Sequence, residues 1–218
     1  MSRSFLLSPE LADYVRSHSE PVDDVLIDLA AETEASFPDR AGMSTAFEIG
    51  TFLTIVCRLI GARRAIEVGT FTGHSAICIA RGLGDSGQLL CCDVSDEWTS
   101  VAQRYWTRAA LSDRIELRLG PAADTLRSLP ADAAYDLAFI DADKPNYSTY
   151  VDLLHARLRV GGLVAVDNVL WGGRVLDPTV DDENTVAIRK FNDEVTADDR
   201  WETQLLAVGD GLTLLRKR

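Results

Sequence analysis

The sequence predicts an α/β domain: a mostly parallel sheet with helices on both faces, preceded by extra N-terminal helices. Three observations carry this expectation. After Gly61, short apolar or β-branched runs alternate with amphipathic stretches, the pattern of successive βαβ units. Before Gly61 the apolar residues fall at helical spacing instead. Near the end, Gly209-Asp210-Gly211 separates two strand-like runs, a hairpin signal that places an antiparallel pair after the parallel strands.

Each element follows from local chemistry. Ser8-Pro9-Glu10 opens a short helix, with a capping hydroxyl, a proline in the first turn and an acid near the positive end of the dipole. A second helix spans 21–36, with Val25, Leu26, Leu29 and Ala30 on one face, and a third spans 44–59. Between them Phe37-Pro38-Asp39-Arg40-Ala41-Gly42 reads as a loop. Strands are expected at 64–69, 88–93, 114–119, 135–141 and 162–167. The helices between them are expected at 73–81, 97–110, 122–129 and 147–158. A helix at 185–195 leads to the hairpin 202–208 and 212–216. With 218 residues and no repeat, low-complexity block or linker, the whole of 1–218 is expected to be one domain.

Composition narrows the function. Twenty-two Lys plus Arg against thirty-four Asp plus Glu leave a net charge of −12, the wrong sign for a protein that neutralises phosphates, so nucleic acid is disfavoured as a partner. No apolar run approaches the roughly 18 residues that cross a bilayer, and the opening segment lacks the core and cleavage site of a secretory signal. Cys57, Cys78, Cys91 and Cys92 lie in apolar stretches without the spacing of a zinc site or a disulfide framework, as expected of buried thiols in the cytoplasm. Cys91 and Cys92, adjacent on a strand, should face opposite sides of the sheet.

In open α/β sheets the chemistry lies beyond the carboxyl ends of the strands, and here those ends are acidic. The first strand runs into Glu67-Val68-Gly69-Thr70-Phe71-Thr72-Gly73-His74-Ser75, where two glycines permit a tight turn and close approach of a ligand. Phe71 stands where a dinucleotide fingerprint needs its second glycine, so a nicotinamide dinucleotide is disfavoured. The second strand ends in Asp93, a carboxylate placed to accept both hydroxyls of a ribose. Together these features suit a nucleoside without phosphates, such as S-adenosylmethionine; strand-end caps or surface charges are the alternative. The fourth strand ends in Asp141 and the fifth in Asp167-Asn168. If those strands are neighbours, about 4.8 Å apart, two carboxylates and an amide share one crevice, a hard oxygen set suited to Mg²⁺; otherwise they are solvated loop carboxylates. Of the basic residues only Lys144, Lys190 and Lys217 are lysines. An amine beside that crevice can shift its pKa and accept a proton as arginine cannot, so Lys144 is a candidate base, or else an ion-pair partner of a nearby acid. Trp171-Gly172-Gly173-Arg174 forms a loop beside the site, its Trp either a wall against a flat substrate or part of the core. His18, His74 and His155 lack the spacing of metal ligands.

From Leu6-Leu7-Ser8-Pro9-Glu10-Leu11 to Gly209-Asp210-Gly211-Leu212, the chain resembles the cation-dependent class I O-methyltransferases of the caffeoyl-CoA and catechol O-methyltransferase type. The resemblance is carried by Gly42-Met43-Ser44, the run from Ala65 to Gly73, Gly120-Pro121-Ala122, the run from Phe139 to Tyr147, and Asp167-Asn168-Val169-Leu170-Trp171-Gly172-Gly173. It implies a Rossmann-like, seven-stranded sheet in the order 3-2-1-4-5-7-6 with strand 7 antiparallel. It implies Asp141, Asp167 and Asn168 as metal ligands and Lys144 as catalytic base. Around S-adenosylmethionine it implies Met43, Glu67, Gly69, Ser75, Asp93, Ala122 and Asp141. A homodimer is implied, with residues 1–61 contributing to the substrate site and the dimer. His74 departs from the tyrosine usual in the family, and 36–42 match no member closely enough to transfer a substrate.

The expected activity is therefore metal-dependent methyl transfer from S-adenosylmethionine to a hydroxyl of a small vicinal dihydroxy aromatic, with Mg²⁺ favoured over Mn²⁺ or Ca²⁺. Two alternatives stay open: methylation of a hydroxylated uridine in tRNA, which the net charge disfavours, and a cofactor-binding protein without catalysis.

Overall fold

The computed structural model describes residues 5–218; the first four residues of the N-terminal segment lie outside the described residues. Helix α1 (Pro9–Ser17) starts where the Ser8 hydroxyl accepts the Leu11 amide at 3.3 Å. Helix α2 (Asp24–Ser36) starts at Asp23, whose carboxylate accepts the Leu26 amide at 3.0 Å. Both caps satisfy amides that a helix leaves unpaired in its first turn. The expected 37–42 loop leads into a single 3₁₀ turn, Ala41–Met43, before α3 (Phe47–Leu59).

The alternating region then unfolds in order: β1 (Arg64–Val68), α4 (His74–Gly82), β2 (Gln88–Asp93), α5 (Asp96–Arg108), β3 (Ile115–Leu119), α6 (Ala122–Ser128), β4 (Tyr135–Ile140), α7 (Tyr147–His155), β5 (Leu158–Asp167), α8 (Glu183–Thr196), β6 (Trp201–Leu206) and β7 (Leu212–Lys217). The seven strands form one sheet in the order β3-β2-β1-β4-β5-β7-β6, the order expected. The first five pair in parallel, and β7 lies antiparallel between β5 and β6. Many element ends shift by a few residues, α2 and α3 for example starting later than expected at Asp24 and Phe47; the largest shift is at β5, which begins at Leu158 and passes through Gly161-Gly162, the expected helix 147–158 having stopped at His155. The register shifts between Tyr135 and Leu137 opposite this stretch, so the glycines sit at a bulge inside the strand.

Strand residues alternate between two cores, as a two-sided sheet requires. Ala65, Leu89, Cys91, Leu137, Phe139 and Ala165 pack under α2 to α5. Ile66, Val68, Leu90, Cys92, Ala138, Ile140, Val164 and Val166 pack under α6 to α8. Cys91 and Cys92 thus fall on opposite faces, as the strand period demands. All four cysteines are buried and free of disulfides, and burial pushes the Cys57, Cys78 and Cys92 thiols up to about 12, which keeps them protonated and poorly reactive. Among the described residues no helix is long and apolar enough to cross a membrane.

Candidate active site

The strand order reverses between β1 and β4, and the carboxyl ends there open a cleft of about 790 Å³, within the size range of small-molecule sites. Nine of the ten candidate residues line it: Met43, Gly69, Ser75, Asp93, Ala122, Asp141, Lys144, Asp167 and Asn168. The tenth, Glu67, is fully buried and is not on the wall.

The turn after β1 is shaped by its glycines. Gly69 has φ of 88°, and a Cβ there would stand 2.0 Å from the Asp141 carbonyl oxygen, so only glycine lets the ends of β1 and β4 approach this closely. We expect Gly69→Ala to destabilise the fold by on the order of 3 kcal/mol or more, since it combines a left-handed backbone with a clash against main chain; a denaturant melt with an unchanged midpoint would contradict this. Asp93 braces the same turn. Its carboxylate accepts the Thr70 and Phe71 amides at 2.9 and 2.8 Å and the Ser95 amide at 2.9 Å. A carboxylate offers about four acceptor positions, so Asp93 can hold the turn and still offer an acceptor to a ligand in the cleft. The ribose role and the capping role read from the sequence are compatible in one side chain.

Glu67 stands on the α4 side of β1, fully buried. The Cys91 thiol donates to it at 3.3 Å. Burial pushes its carboxyl up to about 7, against the opposing hydrogen bonds of Ser75, Cys91 and Thr70. A raised carboxyl pKa means that the folded state holds the proton more tightly than the unfolded chain, so stability is lost as pH rises. We therefore expect Glu67→Gln to remove a decline in unfolding free energy that wild type shows between about pH 4.5 and about pH 7; parallel curves for the two proteins across that window would refute it.

On the other side of the switch point, Ile140 pairs with Val166, so Asp141 and Asp167, one residue further on, stand side by side at the carboxyl ends of β4 and β5. Lys144 follows in a 3₁₀ turn, Lys144–Asn146, and is 7% exposed. Its ammonium donates to Asp141 Oδ1 at 3.2 Å, to Asn168 Oδ1 at 2.8 Å and to the Tyr147 hydroxyl at 2.6 Å. Tyr147 in turn donates to the Asp167 carbonyl at 2.9 Å, which couples the Lys144 turn to the end of β5. Sequence reasoning missed Tyr147; its position three residues beyond Lys144, on the first turn of α7, was the available signal. Burial, with Asp141 alongside, pushes the Asp167 carboxyl well above the usual carboxylate range. Burial also raises Asp210, a half-buried acid on the same wall that the sequence showed only as a turn residue.

Among the described residues no three His, Cys, Asp or Glu side chains stand together as metal ligands. The third donor of the expected set is an amide, that of Asn168. The arrangement nonetheless fits a hard cation: its donors are all oxygen, and the Lys144 ammonium already sits between Asp141 and Asn168 as positive charge. Like charges that raise a buried carboxyl mark a place where a cation gains most.

Trp171 lines the cleft, its ring centroid 5.5 Å from Lys144 Nζ. The loop expected here winds instead into a 3₁₀ stretch, Trp171–Leu176, kinked at Gly172 and Gly173 and held by Arg189, which donates to the Val175 and Val180 carbonyls at 3.0 and 2.9 Å. His74 also lines the cleft, 3% exposed, with its ring edge-on to Phe47 at 5.1 Å.

Comparison with known proteins identifies the family and the fold. A family model described as O-methyltransferase matches residues 16–218. A probable caffeoyl-CoA O-methyltransferase 2 of Dictyostelium discoideum is 38% identical over 211 residues, covering 95% of this chain and 91% of the relative. Cofactor-bound Rv0187 from MTB superposes with a TM-score of 0.88 at 32% identity, covering 96% of this chain and 97% of the other. The O-methyltransferase TomG of Streptomyces achromogenes, solved in complex with SAM, gives 0.85 at 29% identity, with 95% and 96% covered.

Proposed function

The chain belongs to the O-methyltransferase family, and from that membership we propose that it moves the methyl group of S-adenosylmethionine to a hydroxyl of a small vicinal dihydroxy aromatic, with a divalent cation held by Asp141, Asp167 and Asn168. S-adenosylmethionine-dependent O-methyl transfer itself follows from the family and from its cofactor-bound structural neighbours. The observation that carries the metal and acceptor reading is the Lys144 ammonium at 3.2 and 2.8 Å from Asp141 and Asn168, on the cleft wall.

The sulfonium supplies an electrophilic methyl carbon and a bound dication, Mg²⁺ by preference, supplies Lewis-acid polarisation of the acceptor oxygens. The protein's own residues do the rest. Met43, Glu67, Gly69, Ser75, Asp93, Ala122 and Asp141 bed the methyl donor, Asp93 accepting from its ribose. Trp171 walls the acceptor ring. Lys144, as the amine, takes the proton of the attacking hydroxyl; the new oxygen–carbon bond forms as the carbon–sulfur bond breaks, and its electron pair stays on sulfur. Opposite charges neutralise along that path, so the acceleration must come from alignment and fixed charge rather than from attraction of the reactants.

The test is transfer of labelled methyl to a panel of catechols, caffeoyl-type esters, hydroxylated flavonoids and bulk tRNA, with and without chelator. Label on a dihydroxy aromatic, lost with chelator and restored by Mg²⁺, is the expected result. Label on tRNA alone would replace the acceptor class.

A homodimer in the cytoplasm is part of the proposal. Leu11, Tyr14 and Val15 of α1 are exposed, an apolar face suited to a second copy, and four buried thiols suit a reducing compartment. Sedimentation at one-chain mass would remove the dimer.

A further inference from the structure

The Gly209-Asp210-Gly211 turn, legible in the sequence only as a hairpin connector, is packed on the loop that carries Asn168 and Trp171. Asp210 Oδ1 accepts the Gly172 amide at 2.6 Å. The Asp210 carbonyl accepts the Leu170 amide at 2.9 Å, and the Gly211 carbonyl accepts the Val169 amide at 3.2 Å. The approach is so close that a Cβ on Gly211, itself at φ of 85°, would stand 2.5 Å from Leu170 Cγ. From the other side α8 contributes Asn192, whose Nδ2 donates to the Val169 carbonyl at 2.9 Å.

The loop needs such a grip. Asn168 and Trp171 adopt φ of 59° and 49°, followed by Gly172 at 62° and Gly173 at 81°. A left-handed backbone is tolerable for asparagine but disfavoured for a bulky tryptophan, and it persists only where the surroundings impose it. Those two residues are the ones that face Lys144, through the Asn168 amide oxygen at 2.8 Å and the Trp171 ring at 5.5 Å. Of the groups that hold the loop from the hairpin, Asp210 alone does so with a side chain, and its carboxylate stays half-buried on the cleft wall to do it.

We propose, resting on the methyl-transfer function above, that Asp210 is a positioning residue: its hydrogen bond to Gly172 holds the 168–173 loop in the shape that presents Asn168 and Trp171 to Lys144. Its role is that of an acceptor and not of a charge. An asparagine at 210 keeps an oxygen toward Gly172 and loses the charge, whereas an alanine loses both.

Two readouts are compared in wild type, Asp210→Ala and Asp210→Asn: amide hydrogen exchange across 168–173, and steady-state methyl transfer with cofactor affinity measured separately. Asp210→Ala should raise exchange in that loop about tenfold or more, with the strands still protected. It should lower kcat about 100-fold, the scale of a small misplacement near the reacting atoms, without weakening cofactor binding. Asp210→Asn should return both readouts to within about threefold of wild type, because a neutral acceptor replaces a charged one. Wild-type exchange in the alanine variant, loss of protection throughout its sheet, or an asparagine variant as inactive as alanine despite a protected loop would each overturn the proposal. Exchange does not depend on turnover, so a wild type without methyl transfer would count against the function while the exchange comparison still decided Asp210.

Discussion

Lys144→Ala is expected to lower kcat by about 10²- to 10⁴-fold, the range for removal of a positioned acid–base group, with cofactor affinity nearly unchanged. The amine is 7% exposed and makes three hydrogen bonds, to Asp141, Asn168 and Tyr147, so its atoms are fixed where a hydroxyl bound at Asp141 and Asn168 would present its proton. None of its three partners is donor-bed residue alone; Asp141 is shared, and calorimetry with the methyl donor separates the two effects. Lys144→Arg is the informative control. It restores the positive charge but not a group able to give up and regain a proton, and its planar fork cannot reproduce three bonds from one nitrogen. Single-turnover methyl transfer by the arginine variant at the wild-type rate would show that charge suffices and would remove the base.

Asp141→Ala should cost about 10²- to 10³-fold in kcat, the scale of a lost electrostatic contact to the reacting oxygen, and should make the residual rate indifferent to chelator. Wild type should lose its activity with chelator and regain it with Mg²⁺. Loss of fold can be told apart from loss of site. Asp141 both pushes the buried Asp167 carboxyl upward and accepts from the buried Lys144 ammonium at 3.2 Å, opposing effects on stability whose balance a denaturant melt of the variant reads separately from its activity. Full turnover by chelator-treated wild type would end the metal-dependent mechanism.

The fold was legible in the sequence wherever local pattern and tertiary demand coincide. The short apolar runs at 64–69 and 88–93, set between helical stretches, and Gly209-Asp210-Gly211 before the last strand each point one way, and the sheet obeys them. It was less legible at Gly161-Gly162, where two glycines signal a break but the chain continues as a bulged strand because Asp136 and Arg159, bonded at 2.7 Å, tie β4 and β5 together there. The strand-tip acids and Lys144 were legible because adjacent parallel strands deliver their ends to one place. Glu67, implied as a cofactor contact by resemblance, is fully buried on β1, with the Cys91 thiol of β2 donating to it. Asp210 was missed because its contact to Gly172 joins distant segments, which no local pattern encodes; Tyr147 had a local signal in its spacing from Lys144, but its bond to the Asp167 carbonyl is of the same distant kind.

The position of β7 has a consequence for biosynthesis. Asp167 pairs with Leu212, and β7 lies between β5 and β6, so the edge beside the reacting groups stays uncovered until residues 212–217 have left the ribosome. Earlier βαβ units can fold as they emerge, but a nascent or prematurely terminated chain carries an open strand edge and no finished catalytic pocket. Such fragments would spend no methyl donor, and their bare edge would mark them for aggregation or removal.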